Sequence, residues 1–152
     1  MTGRPRTVDV PPRARVLFEC ERRGRAAVVD GCVALLTGAD DRDVPLILVL
    51  GGPAASWALD PADGGPESSR WYWVRVWAAR GLLWAWDDRA TSTIVGAMHD
   101  REWRVREMAA KVVARHRIGD ALAAVTMLRN DPIPQVRAAA QRAVVAVTAA
   151  GA

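Results

Sequence analysis

The stretch Asp100-Arg101-Glu102-Trp103-Arg104-Val105-Arg106-Glu107-Met108-Ala109-Ala110 returns 31 residues later as Asp131-Pro132-Ile133-Pro134-Gln135-Val136-Arg137-Ala138-Ala139-Ala140. The match holds at polar, apolar and small positions together, which makes it a structural period. The same step continues in both directions. Val74-Arg75 precedes Val105-Arg106, Ala78 precedes Ala109 and Ala140, and Leu82 precedes Val113 and Val144. Ile94 maps to Val125, and Ala97 to Leu128.

Helical periodicity lies within each step. Val105, Ala109, Val112, Val113 and His116 fall on one face of a helix over 103–117. Val136, Ala140, Ala143, Val144 and Val147 do the same over 134–149, where Pro134 suits a first turn. Leu122, Val125 and Leu128 give a narrower stripe behind Gly119-Asp120, read as a helix stop and an N-cap. Each period is therefore a helical hairpin. Upstream, Leu35-Leu36 and Asp40-Asp41-Arg42 resemble Leu82-Leu83 and Asp87-Asp88-Arg89 at an offset of 47. The surplus sits in 51–70, rich in Gly, Pro and Ser, and reads as an inserted loop. Four hairpins result: 12–37, 42–86 with the loop inside it, 89–117 and 119–150, behind a loose basic arm at 1–11. The expected fold is all-α, an α-solenoid in which each hairpin buries its apolar stripe against its neighbours. Ala78, Gly81, Ala109 and Ala140 would allow close helix approach.

This pattern resembles HEAT repeats, and is most similar to the short type described in phycobilin lyases. The resemblance is carried by Asp100…Val105-Arg106 with Ala109-Ala110, and by Asp131…Val136-Arg137 with Ala140. It implies a hydrogen-bonded ladder between repeats, made by Asp100 and Asp131 in the turns and Arg106 and Arg137 on the following helices. Ser69 stands where an Asp would precede Arg75, so a break is expected there.

Composition narrows the function. The 152 residues are 51% hydrophobic and 25% charged, with a formal net charge of +4. That suits a folded domain. No apolar run approaches the length of a membrane helix, and the beginning of the chain lacks the apolar core of an export signal. With only Cys20 and Cys32, free thiols in a cytoplasm are expected. All basic residues but Lys111 are Arg, which with heavy Ala use fits a GC-rich bacterial genome. Residues 71–152 carry twelve basic against seven acidic side chains.

The candidate contacts follow from a helical wheel. Trp71, Tyr72, Trp73, Trp77, Trp84 and Trp86 are expected in one helix whose core face is Val74, Ala78, Gly81, Leu82 and Ala85. Trp73, Trp77, Arg80 and Trp84 form a stripe about 100° away from it. The counterparts in the next repeat are Arg104, Met108, Lys111 and Arg115, and the last repeat supplies Arg142. An aromatic patch running into a basic one suits a protein hot spot or a nucleic acid. The competing reading has these tryptophans sealing the inserted loop through Trp57 and Leu59. Asp40-Asp41 and Asp87-Asp88 read as helix caps rather than acid/base pairs. His99 and His116 have no ligand set around them, and no P-loop or nucleophile elbow is present. The expectation is a non-enzymatic interaction scaffold without metal or cofactor, whose partner is a protein. The alternatives are a nucleic-acid-binding HEAT-like protein akin to helical-repeat DNA glycosylases, and a bilin-lyase-like enzyme, which the repeat type alone implies.

Overall fold

A computed structural model describes residues 10–40, 42–60, 62 and 64–151. The 1–11 arm lies outside these residues except for Val10 and Pro11. The described residues form helices and turns, with no strand among them. They make α1 (Pro12–Arg23), α2 (Arg25–Thr37), α3 (Val44–Gly51), α4 (Tyr72–Gly81), α5 (Thr91–Ala97), α6 (Trp103–His116), α7 (Leu122–Met127) and α8 (Pro134–Ala150). The chain divides into two compact units, Met1–Ala85 and Trp86–Ala152.

In the first unit α4 is the central element. Val74, Val76, Trp77, Ala78, Ala79 and Gly81 are all buried, so most of its circumference faces protein. It packs on α2 and α3. A Cβ on Gly81 would meet Leu50 Cδ2 at 2.6 Å and Cys32 Sγ at 3.1 Å, so only glycine admits both neighbours. The helix is shorter than the sequence pattern predicts. It ends at Gly81, and the N–H groups of Leu82, Leu83, Trp84 and Ala85 fold back on carbonyls 78–81 in a tight turn. Trp71, Trp84 and Trp86 thus lie outside the helix expected to carry them.

α1 and α3 run in opposite senses along their contact. Arg15 near the start of α1 donates to Val49 O (2.8 Å) near the end of α3. Arg23 at the end of α1 donates to Asp43 Oδ2 (3.1 Å) at the start of α3. Hairpins related by one repeated step would place equivalent helices parallel, so hairpin 12–37 does not stack on 42–86 as the 31-residue step repeats elsewhere. The cap of α3 also falls one position set later than expected. Asp43, not Asp40-Asp41, accepts from Leu46 N (3.1 Å). Asp40 instead closes a local turn through Arg42 N (2.9 Å), and Asp41 lies outside the described residues.

The inserted segment 51–70 is more ordered than a plain loop. Gly52–Leu59 forms a 3₁₀ helix with Ala55 and Ala58 buried. Gly52 carries φ +60°, the left-handed conformation that stops α3, and lies over the Arg15 guanidinium.

The second unit is the regular part. Short helices α5 and α7 precede long helices α6 and α8, and α6 and α8 lie side by side. Val105, Ala109, Val112 and Val113 from α6, and Val136, Ala140, Ala143 and Val147 from α8, form the core as the period predicts. Alanines at 109, 110, 139, 140 and 143 are completely or almost completely buried, which keeps the two helices close. The stop between α6 and α7 falls at Arg117 (φ +51°), two residues before Gly119. Asp120 lies in a short 3₁₀ turn that has no side-chain cap.

Candidate interaction surfaces

The aromatic stripe expected on α4 is taken apart by the fold. Trp77 is only 6% exposed. Its ring lies 6.1 Å from that of Trp57 at 53°, and a Cβ on Gly51 would sit 2.7 Å from Trp77 Cε3. The inserted segment is therefore sealed onto α4 through Trp57 and Trp77, with Arg70 over the outer face of Trp57 at 4.6 Å. Trp71 is buried beside Ala58 and Leu59. Arg80 donates to Leu50 O (2.7 Å), a carbonyl at the end of α3 that Arg15 also approaches (3.4 Å). Burial, and then the nearby charge of Arg15, pull the Arg80 guanidinium below its ordinary pKa. Trp77 is thus internal and Arg80 is half-buried and tied to α3, against the expectation that they face a partner. The physical reason is the insertion, whose apolar residues need a second surface. Trp73 is half-buried with its ring 5.4 Å from Tyr72, and Trp84 is half-buried in the turn after α4.

The basic residues of the expected stripe lie in the second unit. Arg104, Lys111 and Arg115 lie on one line of α6, and Arg142 on α8 is one 31-residue step from Lys111. Arg104 stacks on Trp103 at 4.5 Å and pairs with Glu102 at 3.0 Å. Lys111 pairs with Glu107 at 2.8 Å. Arg115 and Arg142 are exposed. Met108 is half-buried, and Ala139 closes the same line on α8 by being buried.

Behind this band the turn aspartates and helix arginines form a network. Asp131 is 8% exposed. It receives Arg106 through Nε to Oδ2 (2.8 Å) and Nη2 to Oδ1 (3.1 Å), and Ile133 N–H at 3.0 Å. Arg106 also donates to Asp100 O (2.8 Å), and Arg137 repeats that bond one period later on Asp131 O (2.8 Å). The Asp100 carboxylate accepts from Glu102 N (2.9 Å), as Asp131 does from Ile133 N. Burial alone would raise the Asp131 carboxyl, but the Arg106 hydrogen bonds and the Ile133 N–H outweigh it and hold it below the usual carboxylate range. These bonds link the turn of one repeat to the long helix of the repeat before it and brace each turn against its own helix.

The remaining polar residues also have local structural roles. Asp87 accepts from Arg89 N (3.0 Å) and Asp88 from Trp86 Nε1 (3.1 Å). His116, expected on the core side, stacks on Trp86 at 4.7 Å and 14°. His99 is exposed. Among the described residues no cluster of His, Cys, Asp and Glu has the form of a metal site. Cys20 and Cys32 are free thiols, and complete burial pushes the Cys32 thiol up to about 12. No helix of the described residues is long and apolar enough to cross a membrane.

A surface that the sequence reading missed lies between α1 and α3. Val10, Ala14, Phe18, Leu48, Val49 and Pro53 line a groove of about 750 Å³. Its sequence signal is the uncharged run 44–59, sixteen residues long, facing the single Phe of the chain.

Repeated hairpins joined by an Asp–Arg network define a helical-repeat protein. The HEAT-repeat family model matches residues 67–144, half of the chain, and the chain belongs to that family. No curated protein matches the sequence.

Proposed function

We propose that the chain is a non-enzymatic protein-interaction module that binds its partner along the stacked helices α6 and α8. One observation carries this reading. Lys111 and Arg142 occupy the same position in successive repeats on helices packed side by side, with Arg115 one turn beyond Lys111. Such a row presents evenly spaced cations and Arg stems to an extended partner, the recognition mode of repeat arrays. Arg115 and Arg142 are the outermost contacts, and Arg104 and Lys111 stand behind them with Glu102 and Glu107. In the first unit, considered by itself, Trp73 and Trp84 are partly open. The 31-residue step accords with the short repeat type known from phycobilin lyases. Reduced thiols and the Arg-for-Lys bias accord with a bacterial cytoplasm.

Photo-crosslinking in cells tests the proposal. A crosslinking amino acid is placed at Arg115, at Arg142 and, as a control, at the exposed Ala123 of α7. The expected result is one discrete protein adduct from positions 115 and 142, unchanged by nuclease and absent at 123. Nuclease-sensitive adducts would assign the band to a nucleic acid. Identical adducts at all three positions would overturn the assignment of the face.

A further inference from the structure

The groove between α1 and α3 is apolar, open and built on two helices that hold each other firmly. Phe18 is 66% exposed at its edge, and Leu48 is 43% exposed on the facing helix. Val10, Ala14, Val49 and Pro53 continue the apolar lining between them. Isolated exposed apolar residues are ordinary, but a contiguous set lining one furrow marks a binding surface. The furrow is also pinned at both ends. Arg15 ties α1 to the end of α3 through Val49 O, and Arg23 ties it to the α3 cap Asp43. Glu19, nearly fully buried in the wall, is held ionised by Arg22 and Arg23 at 2.7 and 2.6 Å. The groove is thus preformed, which lowers the ordering cost of binding.

The charges around it choose between occupants. Arg15 lines the groove and donates to the carbonyls of Val10 (2.6 Å), Val49 (2.8 Å) and Leu50 (3.4 Å). Among the described residues it meets no carboxylate, so its positive charge stands uncompensated in a partly buried place. One turn beyond Phe18, the exposed Glu21 and the Glu19-paired Arg22 lie together on α1, and the exposed Arg25 follows at the start of α2. The α3 side adds no charge at all between residues 44 and 59. The same face of a second copy would offer Arg15 no free carboxylate from its groove lining, because Glu19 there is already paired with Arg22 and Arg23. An amphipathic helix with an apolar stripe and acidic flanks would fill the furrow and neutralise Arg15. We infer that the α1–α3 groove is a docking site for an acidic amphipathic helix of a partner protein, with Phe18 and Leu48 as apolar contacts and Arg15 reading an acidic flank. The proposal does not depend on the band of α6 and α8.

The test uses fluorescein-labelled 18-residue peptides and the full chain. One peptide repeats Leu at helical spacing with Glu at the flanking positions. A second replaces every Glu with Lys, and a third scrambles the first. Fluorescence anisotropy is expected to show at least tenfold tighter binding of the Glu peptide than of the Lys peptide, with that preference shrinking between 50 and 500 mM salt, roughly as screening demands. Phe18→Asp and Leu48→Asp should each lower affinity for the Glu peptide at least tenfold. Both residues are exposed, so circular dichroism should show both variants folded. Equal binding of Glu and Lys peptides, or binding unchanged in F18D and L48D, would overturn the proposal. So would a dimer in sedimentation that F18D converts to monomer, which would give the groove to a second copy.

Discussion

Replacing Asp131 with Ala should cost the second unit about 3 kcal/mol. The side chain is 5% exposed and accepts three hydrogen bonds, two of them the parallel bonds from Arg106 at 2.8 and 3.1 Å. The third comes from Ile133 N at 3.0 Å and fixes the turn into α8. Removing one partner of a buried pair leaves the other charge uncompensated, at a cost of about 3–5 kcal/mol. The lower end applies because the Arg106 side chain is 14% exposed and keeps its bond to Asp100 O. For a chain of this size that loss corresponds to a fall in Tm of roughly 6–12 °C. Thermal and urea unfolding of Asp131→Ala, Arg106→Ala and the double variant would form a cycle, with exposed Arg129→Ala as the control. The double variant should cost at least about 1 kcal/mol less than the sum of the singles, and the control should change stability by less than about 0.5 kcal/mol. A loss for Asp131→Ala no larger than the control, or strict additivity, would refute the view that this pair joins successive repeats.

Three further outcomes follow from the same contacts. Trp77→Ala should destabilise the first unit by about 3–5 kcal/mol, since it empties a buried site between Gly51 and Trp57; half-buried Trp73→Ala should cost less than half of that, and a reversed order in urea unfolding would place Trp77 on the surface. Glu19 and Asp131 are both held below the ordinary carboxylate range, so the stability they add is fully present above about pH 4 and lost as pH falls through their folded-state values. Glu19→Gln and Asp131→Asn should each flatten the acid limb of a stability–pH curve, and an unchanged limb in both would contradict the assignment. Iodoacetamide at pH 8 should modify the half-buried Cys20 well before Cys32, which should react only on unfolding; equal rates by mass spectrometry would contradict its burial.

The regular repeat was legible because its period repeats different kinds of residue at once. Val105 and Val136 fix the core, Ala109 and Ala140 fix the close approach, and Asp131 with Arg106 fixes the polar link. The first unit was harder for physical reasons. An apolar helix pattern says which face is buried but not which way a neighbour runs, so the opposed senses of α1 and α3 are carried only by Arg15 and Arg23. The run Leu82–Trp86 continues an apolar pattern past the true end of α4, so the pattern does not mark the stop at Gly81. Gly and Pro made 51–70 read as a loop, yet Ala55, Trp57 and Ala58 give Gly52–Leu59 a packed face. That packing consumes Trp77, and the end of α3 consumes Arg80, so the wheel alone could not tell a partner's surface from the insertion's. The α1–α3 groove was hidden because Phe18 and Leu48 are 30 residues apart and meet only in the folded unit.

The most direct test of the interaction reading compares capture from host lysate by the wild-type chain and by Arg115→Glu/Arg142→Glu, with nuclease in both samples. Both positions are exposed, so the double variant should unfold like the wild type. The account predicts a discrete protein retained by the wild type after nuclease and lost by the folded variant. Recovery that disappears on nuclease treatment, or a partner held equally by both proteins, would contradict it.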